Sequence, residues 1–240
     1  MFRHRGKWRT YEHNLKLAAL LSYIAGIVNI SGVLSVKVLT TNVTGHFAFF
    51  AEEISKENYL ASLAFLCYIL AFLSGSFVSG FIIEMSMKNN RRITNALPMM
   101  IEISILLAIG IWGNYFKYNQ LLACVLLFTM GMQNSLVTQV SQSTVRTTHL
   151  TGLFTDLGIE LSQLFFYKEK AQQFVLKRSI YLRLAIITFF FIGCVSGGFL
   201  YQIAELKTLL FAAMLLFIAL FYDYIKLQFY IAKRKIRELR

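Results

Sequence analysis

The chain has 240 residues, of which 57% are apolar and only 15% charged, with 22 Phe, 12 Tyr, one Pro and a mean hydropathy of +0.58. A soluble domain carries roughly 45–50% apolar and about 25% charged residues. An interior of this size cannot hide the surplus, so most of the surface is expected to face lipid. The net charge of +12 would suit nucleic acid. The cations, however, fall in short clusters between long apolar runs, which is the pattern of cytoplasmic loops and not of a nucleic-acid groove.

In chain order, the basic N-terminus MFRHRGKWRTYEHNLK precedes an apolar run too long for a cleaved signal peptide, so it is read as a retained first span. A span needs about 20 mostly apolar residues. Six stretches qualify: 17–39, 59–84, 97–116, 120–139, 180–204 and 208–228. Segment 40–57, TTNVTGHFAFFAEEISKE, is too short to cross. Segment 147–167, TTHLTGLFTDLGIELSQLFFY, carries Asp156 and Glu160 where a lipid-facing helix could not tolerate them.

The predicted fold is therefore an all-α integral membrane protein of six transmembrane helices plus two short re-entrant or broken helices. Both termini are then cytoplasmic. All but Lys37, Lys56, Lys117 and Lys207 of the 24 Lys and Arg fall on that side. Cys67, Cys124 and Cys194 each lie within an apolar run, without CxxC spacing, and suggest no disulfide or metal framework.

The chain also repeats itself. TTNVTG at 40–45 is echoed by TTHLTG at 147–152. Ahead of each stands a Gly-x-x-Asn, Gly26 to Asn29 in the first span and Gly131 to Asn134 in the fourth. Glu53 and Glu160 follow at the same offset, and the next spans share small-residue patches, SGSFVSG at 74–80 and SGGF at 196–199. One repeat covers about 15–116 and the other about 119–228, within a single membrane domain. Each holds three crossings, an odd number, so the second is inverted relative to the first.

Interrupted helices at membrane depth leave backbone groups that need partners. Gly45 is expected to supply unusual dihedrals at the first break. Thr41, Asn42 or Thr44 would cap a helix over 46–55, and Thr148 or Thr151 one over 152–166. The positive ends of two such helices, meeting between the halves, would favour an anionic solute. Asn29 and Asn134 face the interior, to hold the broken backbone or a substrate; Asn in a span also serves simple packing. Asp156 and Glu160, spaced i, i+4, share a face. With Glu102 in the third span they are the intramembrane acids, each a candidate functional group.

Glu102 could instead be a buried acid paired with a nearby Ser or Tyr. His46 and His149 flank the two Thr-Gly steps but lack the companions of a metal site. Gly75, Gly80, Gly197 and Gly198 are expected to allow close packing, and Gly152 matches Gly45. No GxSxG, HExxH, P-loop or dinucleotide motif occurs, so no enzymatic activity and no cofactor are expected.

The segments AGIVNISGVLSVKVLTTNVTGHFAFF and MGMQNSLVTQVSQSTVRTTHLTGLFTDLG resemble the YoaK-like family of bacterial inner-membrane proteins, a domain of unknown function. The resemblance covers nearly the whole chain and implies location and architecture. Family members typically carry an aspartate where this chain has Asn29, and Thr-Gly-Asn where it has Thr44, Gly45 and His46.

The expected function is a small-molecule transporter or channel, its pathway lined by Asn29, Thr41, Thr44, Gly45, Glu102, Asn134, Thr148, Thr151, Gly152 and Asp156. The competing expectation is a non-transporting assembly or signalling protein that works through its loops and basic termini. The expected partners are the lipid bilayer and an unknown small solute, with a homo-oligomer also compatible.

Overall fold

The computed structural model of the protein describes residues 10–88, 95–115 and 119–238. Eight α-helices are found among them: α1 (Tyr11–Val36), α2 (Val43–Ser55), α3 (Tyr59–Lys88), α4 (Ala96–Trp112), α5 (Asn119–Ser141), α6 (Leu150–Gln163), α7 (Lys170–Ala204) and α8 (Thr208–Glu238). A 3₁₀ turn, Gly113–Tyr115, extends α4, and another, Glu205–Lys207, joins α7 to α8. No strand occurs among the described residues. The basic residues Arg3, Arg5, Lys7, Arg9, Arg91, Arg92, Lys117 and Arg240, read as loop cations, lie outside the described residues.

Five segments are long and apolar enough to cross a membrane: Tyr11–Val36, Tyr59–Lys88, Ala96–Tyr115, Asn119–Ser141 and the continuous Lys170–Ile225. The last has 56 residues and contains the turn at Glu205, whose φ of 49° and ψ of −133° interrupt the helix. As one straight helix it would measure roughly 84 Å, against about 30 Å of hydrocarbon. The two segments read as not crossing, 40–57 for its length and 147–167 for its acids, hold α2 and α6, of 13 and 14 residues.

Local chemistry sets the helix ends. Thr10 caps α1 through a capping box with His13. Lys37, left-handed at φ 58°, ends α1, and its N–H and that of Val38 return to the Val33 and Gly32 carbonyls. At the end of α5, Gln142 and Ser143 are left-handed, and the Ser143 N–H reaches the Thr138 carbonyl at 2.8 Å.

The helices pack as α1 on α7, α3 on α5, α2 on α3, α6 on α7 and α4 on α8, with further contacts of α5 with α1 and α4 and of α1 with α8. The main core contains the fully buried Leu17, Leu21, Ile24, Met99, Leu106, Leu126 and Met130.

Two crossings bring backbones into direct contact. A Cβ on Gly26 would enter the Phe190 carbonyl, and one on Gly193 the Tyr23 carbonyl, where α1 meets α7. The same reciprocity joins Gly131 to Phe72 and Gly75 to Phe128, where α5 meets α3. Lipid gives little hydrophobic drive between helices, so small residues that admit close van der Waals approach hold them. The expected packing role of the small patches is met at Gly75 and at Gly197, which lies over Ile27. Gly80 faces Gln139 and Ser135, and Gly198 only the side chain of Ile30.

Candidate functional site

Between α1 and α2 the chain turns back on itself. Thr40, fully buried, places its methyl against Gly32, where a Cβ would clash. Thr41 Oγ1 donates to Asn29 Oδ1 at 3.0 Å, tying the elbow to the first span. Asn42 caps α2, its Oδ1 accepting the Gly45 N–H at 3.0 Å.

The expected dihedral role of Gly45 is corrected here. The break lies at 37–42, and Gly45 sits in the first helical turn. A Cβ there would come within 3.0 Å of Asn42 Nδ2, so its smallness makes room for the capping side chain. Thr41 is engaged by Asn29 instead of capping, and Thr44 is exposed.

The second elbow repeats this geometry. Thr147 is fully buried, like Thr40. Thr148 Oγ1 donates to Asn134 Oδ1 at 2.7 Å, and Thr147 Oγ1 to the same oxygen at 3.5 Å. Neither Thr148 nor Thr151 caps α6. His149 occupies the capping position without a side-chain bond, its ring lying where a Cβ on Gly152 would fall. Thr151 is exposed, its carbonyl accepting from Thr155 Oγ1 at 3.0 Å.

The acids depart from expectation. Asp156 and Glu160 do share a face of α6, and both meet Arg183 of α7. Arg183 Nη1 lies 2.9 Å from Asp156 Oδ2, Nε donates to Glu160 Oε2 at 2.8 Å, and Nη2 to Glu160 Oε1 at 2.9 Å. Ser179 Oγ adds a bond to Glu160 Oε1 at 2.6 Å. Asp156 is thus the outer partner of an ion-pair cluster and not an unpaired acid. Arg183 had counted only as a loop cation. Its position inside the run 180–204 was the available signal, since a charge within a span needs a partner.

On α2, Glu53 takes other partners, Lys56 at 3.5 Å and Asn58 at 2.7 Å. There α2 docks on α3 through rings: Phe49 lies 5.4 Å from Phe65, and His46 lies 5.5 Å from Tyr68. His46 is 3% exposed and its Nε2–H donates to the Leu39 carbonyl at 2.9 Å. Its Nδ1 is buried without a partner. Burial pushes the imidazole below its ordinary range, outweighing the opposing pull of the Leu39 carbonyl.

Glu102 stands apart from the elbows. It is 1% exposed in α4, and neither carboxyl oxygen has a hydrogen-bond partner, so pairing with a Ser or Tyr is not found. Among the described residues, no group of three His, Cys, Asp or Glu could hold a metal.

Residues 17–222 match the family described as "Protein of unknown function (DUF1275)". The chain is also 26% identical over 192 residues to the UPF0700 transmembrane protein YoaK of Bacillus subtilis (strain 168), covering 79% of this chain and 83% of that relative. No solved structure matches. The apolar helices and the transmembrane relative agree on a multi-pass membrane protein, and the family match, which spans most of its length, places the chain in the DUF1275 family.

Proposed function

We propose that the protein is a small-molecule transporter or channel of the bacterial inner membrane, with six crossings, two re-entrant helices and a pathway between two inverted halves. The observation that carries this reading is a permutation. Exchanging α1 with α5, α2 with α6, α3 with α7 and α4 with α8 leaves the packing scheme unchanged. The α1–α7 contact becomes α5–α3, α2–α3 becomes α6–α7, and α4–α5 becomes α8–α1. The same exchange carries the Asn29–Thr41 link onto Asn134–Thr148 and the Gly26–Gly193 crossing onto Gly131–Gly75.

Halves related in this way, each interrupted near its centre, can rock about a fixed site and open it to alternate sides. Both termini lie in the cytoplasm on this reading. The elbows, with Asn29, Thr41, Asn134 and Thr148 at their centres, line the pathway. The N-terminal ends of α2 and α6 favour an anionic solute. The protein moves its solute without altering it.

Reconstitution in liposomes tests the proposal, using a panel of small anions and neutral solutes followed by uptake or osmotic swelling. At least one solute should move faster than through empty liposomes, and Asn29→Ala or Asn134→Ala should slow it in folded protein. Flux that survives both substitutions, or none for any solute, would favour an assembly or signalling role exercised through the basic termini.

A further inference from the structure

Glu102 has the least explained surroundings in the molecule. Its neighbours along α4, Met99, Ile103 and Leu106, belong to one buried apolar cluster with Leu126 and Met130 of α5 and Leu209, Ala212, Ala213 and Leu216 of α8. Neither carboxyl oxygen meets a donor. An ionised carboxylate without donors or a cation costs far more to bury than a neutral polar group. Such a residue in a membrane protein is expensive and tends to be functional.

The elements packed on α4 offer no counter-ion among the described residues. Glu84 and Lys88 lie at the end of α3, Glu205 and Lys207 in the turn before α8, and Tyr222, Asp223 and Tyr224 toward the far end of α8. Cys124 lies in α5 and Tyr115 in the turn after α4. None bonds to Glu102. Other fully buried polar atoms without a partner include Thr40 Oγ1, Ser79 Oγ of α3, and Ser22 Oγ of α1 and Gln133 Oε1 of α5, the last two on helices that pack on each other. A Gln or Leu at 102 would fill the space without a titratable group, so packing gives no reason for an acid here.

We propose that Glu102 is a reversible proton-binding site: its carboxyl is neutral while α4 is closed on α5 and α8, and it exchanges its proton with water when that contact opens. The proton leaves as the O–H bond breaks, passes to water or buffer, and leaves a carboxylate that is reprotonated before closure. Taken with the transport reading, on which this consequence rests, solute movement is proton-linked.

Infrared difference spectroscopy of the full chain in liposomes, with no solute added, reads the site directly. A protonated-carboxyl band should be present at neutral pH, move on exchange into D₂O, disappear at alkaline pH and be lost in Glu102→Gln. Absence of any band assignable to Glu102 at neutral pH overturns the proposal, and so does a band indifferent to both D₂O and alkali. If Glu102→Gln fails to fold, dicyclohexylcarbodiimide labelling of the unmodified chain replaces it. The Glu102 peptide should gain the adduct at neutral pH and lose it at alkaline pH, and an unlabelled or pH-independent result overturns the site. A titrating Glu102 in a protein that moves no solute would sink the transport reading alone. Solute flux with an inert Glu102 would sink this inference alone.

Discussion

Replacing Arg183 by Met keeps much of the apolar stem and removes the guanidinium fork that holds α6 against α7. Three contacts of 2.8 to 2.9 Å disappear, and Glu160 retains only its bond from Ser179. A fully exposed ion pair contributes about 0–1 kcal/mol, while breaking a buried one costs about 3–5 kcal/mol. The side chains of Glu160 and Arg183 are 12% and 23% exposed, which lies between these limits, and Asp156 at 50% adds little. The expected loss is about 2 kcal/mol of α6 docking, or roughly a 30-fold rise in the population with α6 lifted from α7.

Hydrogen exchange in nanodiscs reads this locally. Amides of Leu150–Gln163 should exchange about 30-fold faster, while Val43–Ser55, docked through rings, stays unchanged. Combining Arg183→Met with Glu160→Gln should cost less than the two separate losses together. An α6 rate within about threefold of the unmodified protein, or an acceleration shared by α2, would refute the assignment of α6 docking to this cluster.

Gly131→Ala should lower the melting temperature, because its methyl has to displace the Phe72 carbonyl, at a cost of about 1–3 kcal/mol or more. Gly158→Ala, with nothing within 4 Å of the added methyl, should instead stabilise α6 by up to about 1 kcal/mol; equal melting temperatures for the two variants would contradict the packing account. Asn134→Ala leaves the Thr148 hydroxyl without its acceptor and should cost about 1–2 kcal/mol, whereas Asn134→Asp keeps an oxygen there and should restore most of that loss in a thermal melt. His46 is held below its ordinary range, so the unfolded chain binds the proton more readily. Its contribution is full above about pH 6.5 and declines as the pH falls, and His46→Leu should remove that part of the acid sensitivity of melting. Parallel pH slopes for His46→Leu and the unmodified protein would exclude it.

Much of the architecture was legible in the chain. Each long apolar run became a helix, because hydropathy is a property of the residues themselves and lipid reads it directly; α8 runs ten residues past the expected end at 228, to Glu238. Between 170 and 180 the helix began earlier than expected: Lys170 to Lys177 are too polar to belong to a span, yet nothing there stops a helix. The two short segments became helices at Val43–Ser55 and Leu150–Gln163, close to the predicted 46–55 and 152–166. The Thr-Gly steps misled as breakers. A helical glycine and a left-handed one are indistinguishable without the backbone, and the left-handed turns fell to Lys37, Gln142 and Ser143.

The candidate site was only partly legible. Asn29 and Asn134 could be picked out as polar residues inside apolar helices, but the threonine that each engages depends on how the chain folds back beyond the span. Asp156, Glu160 and Arg183 are separated by enough sequence that only the packing of α6 on α7 could join them.

The amino-acid order alone determined that this is a multi-pass membrane protein, since segment length and hydropathy are local quantities. The tertiary structure decided which ionisable groups gain a partner. It gave Asp156 and Glu160 a cation and, among the described residues, left Glu102 with none, because electrostatic pairing acts over a few ångströms between faces that the linear chain does not bring together.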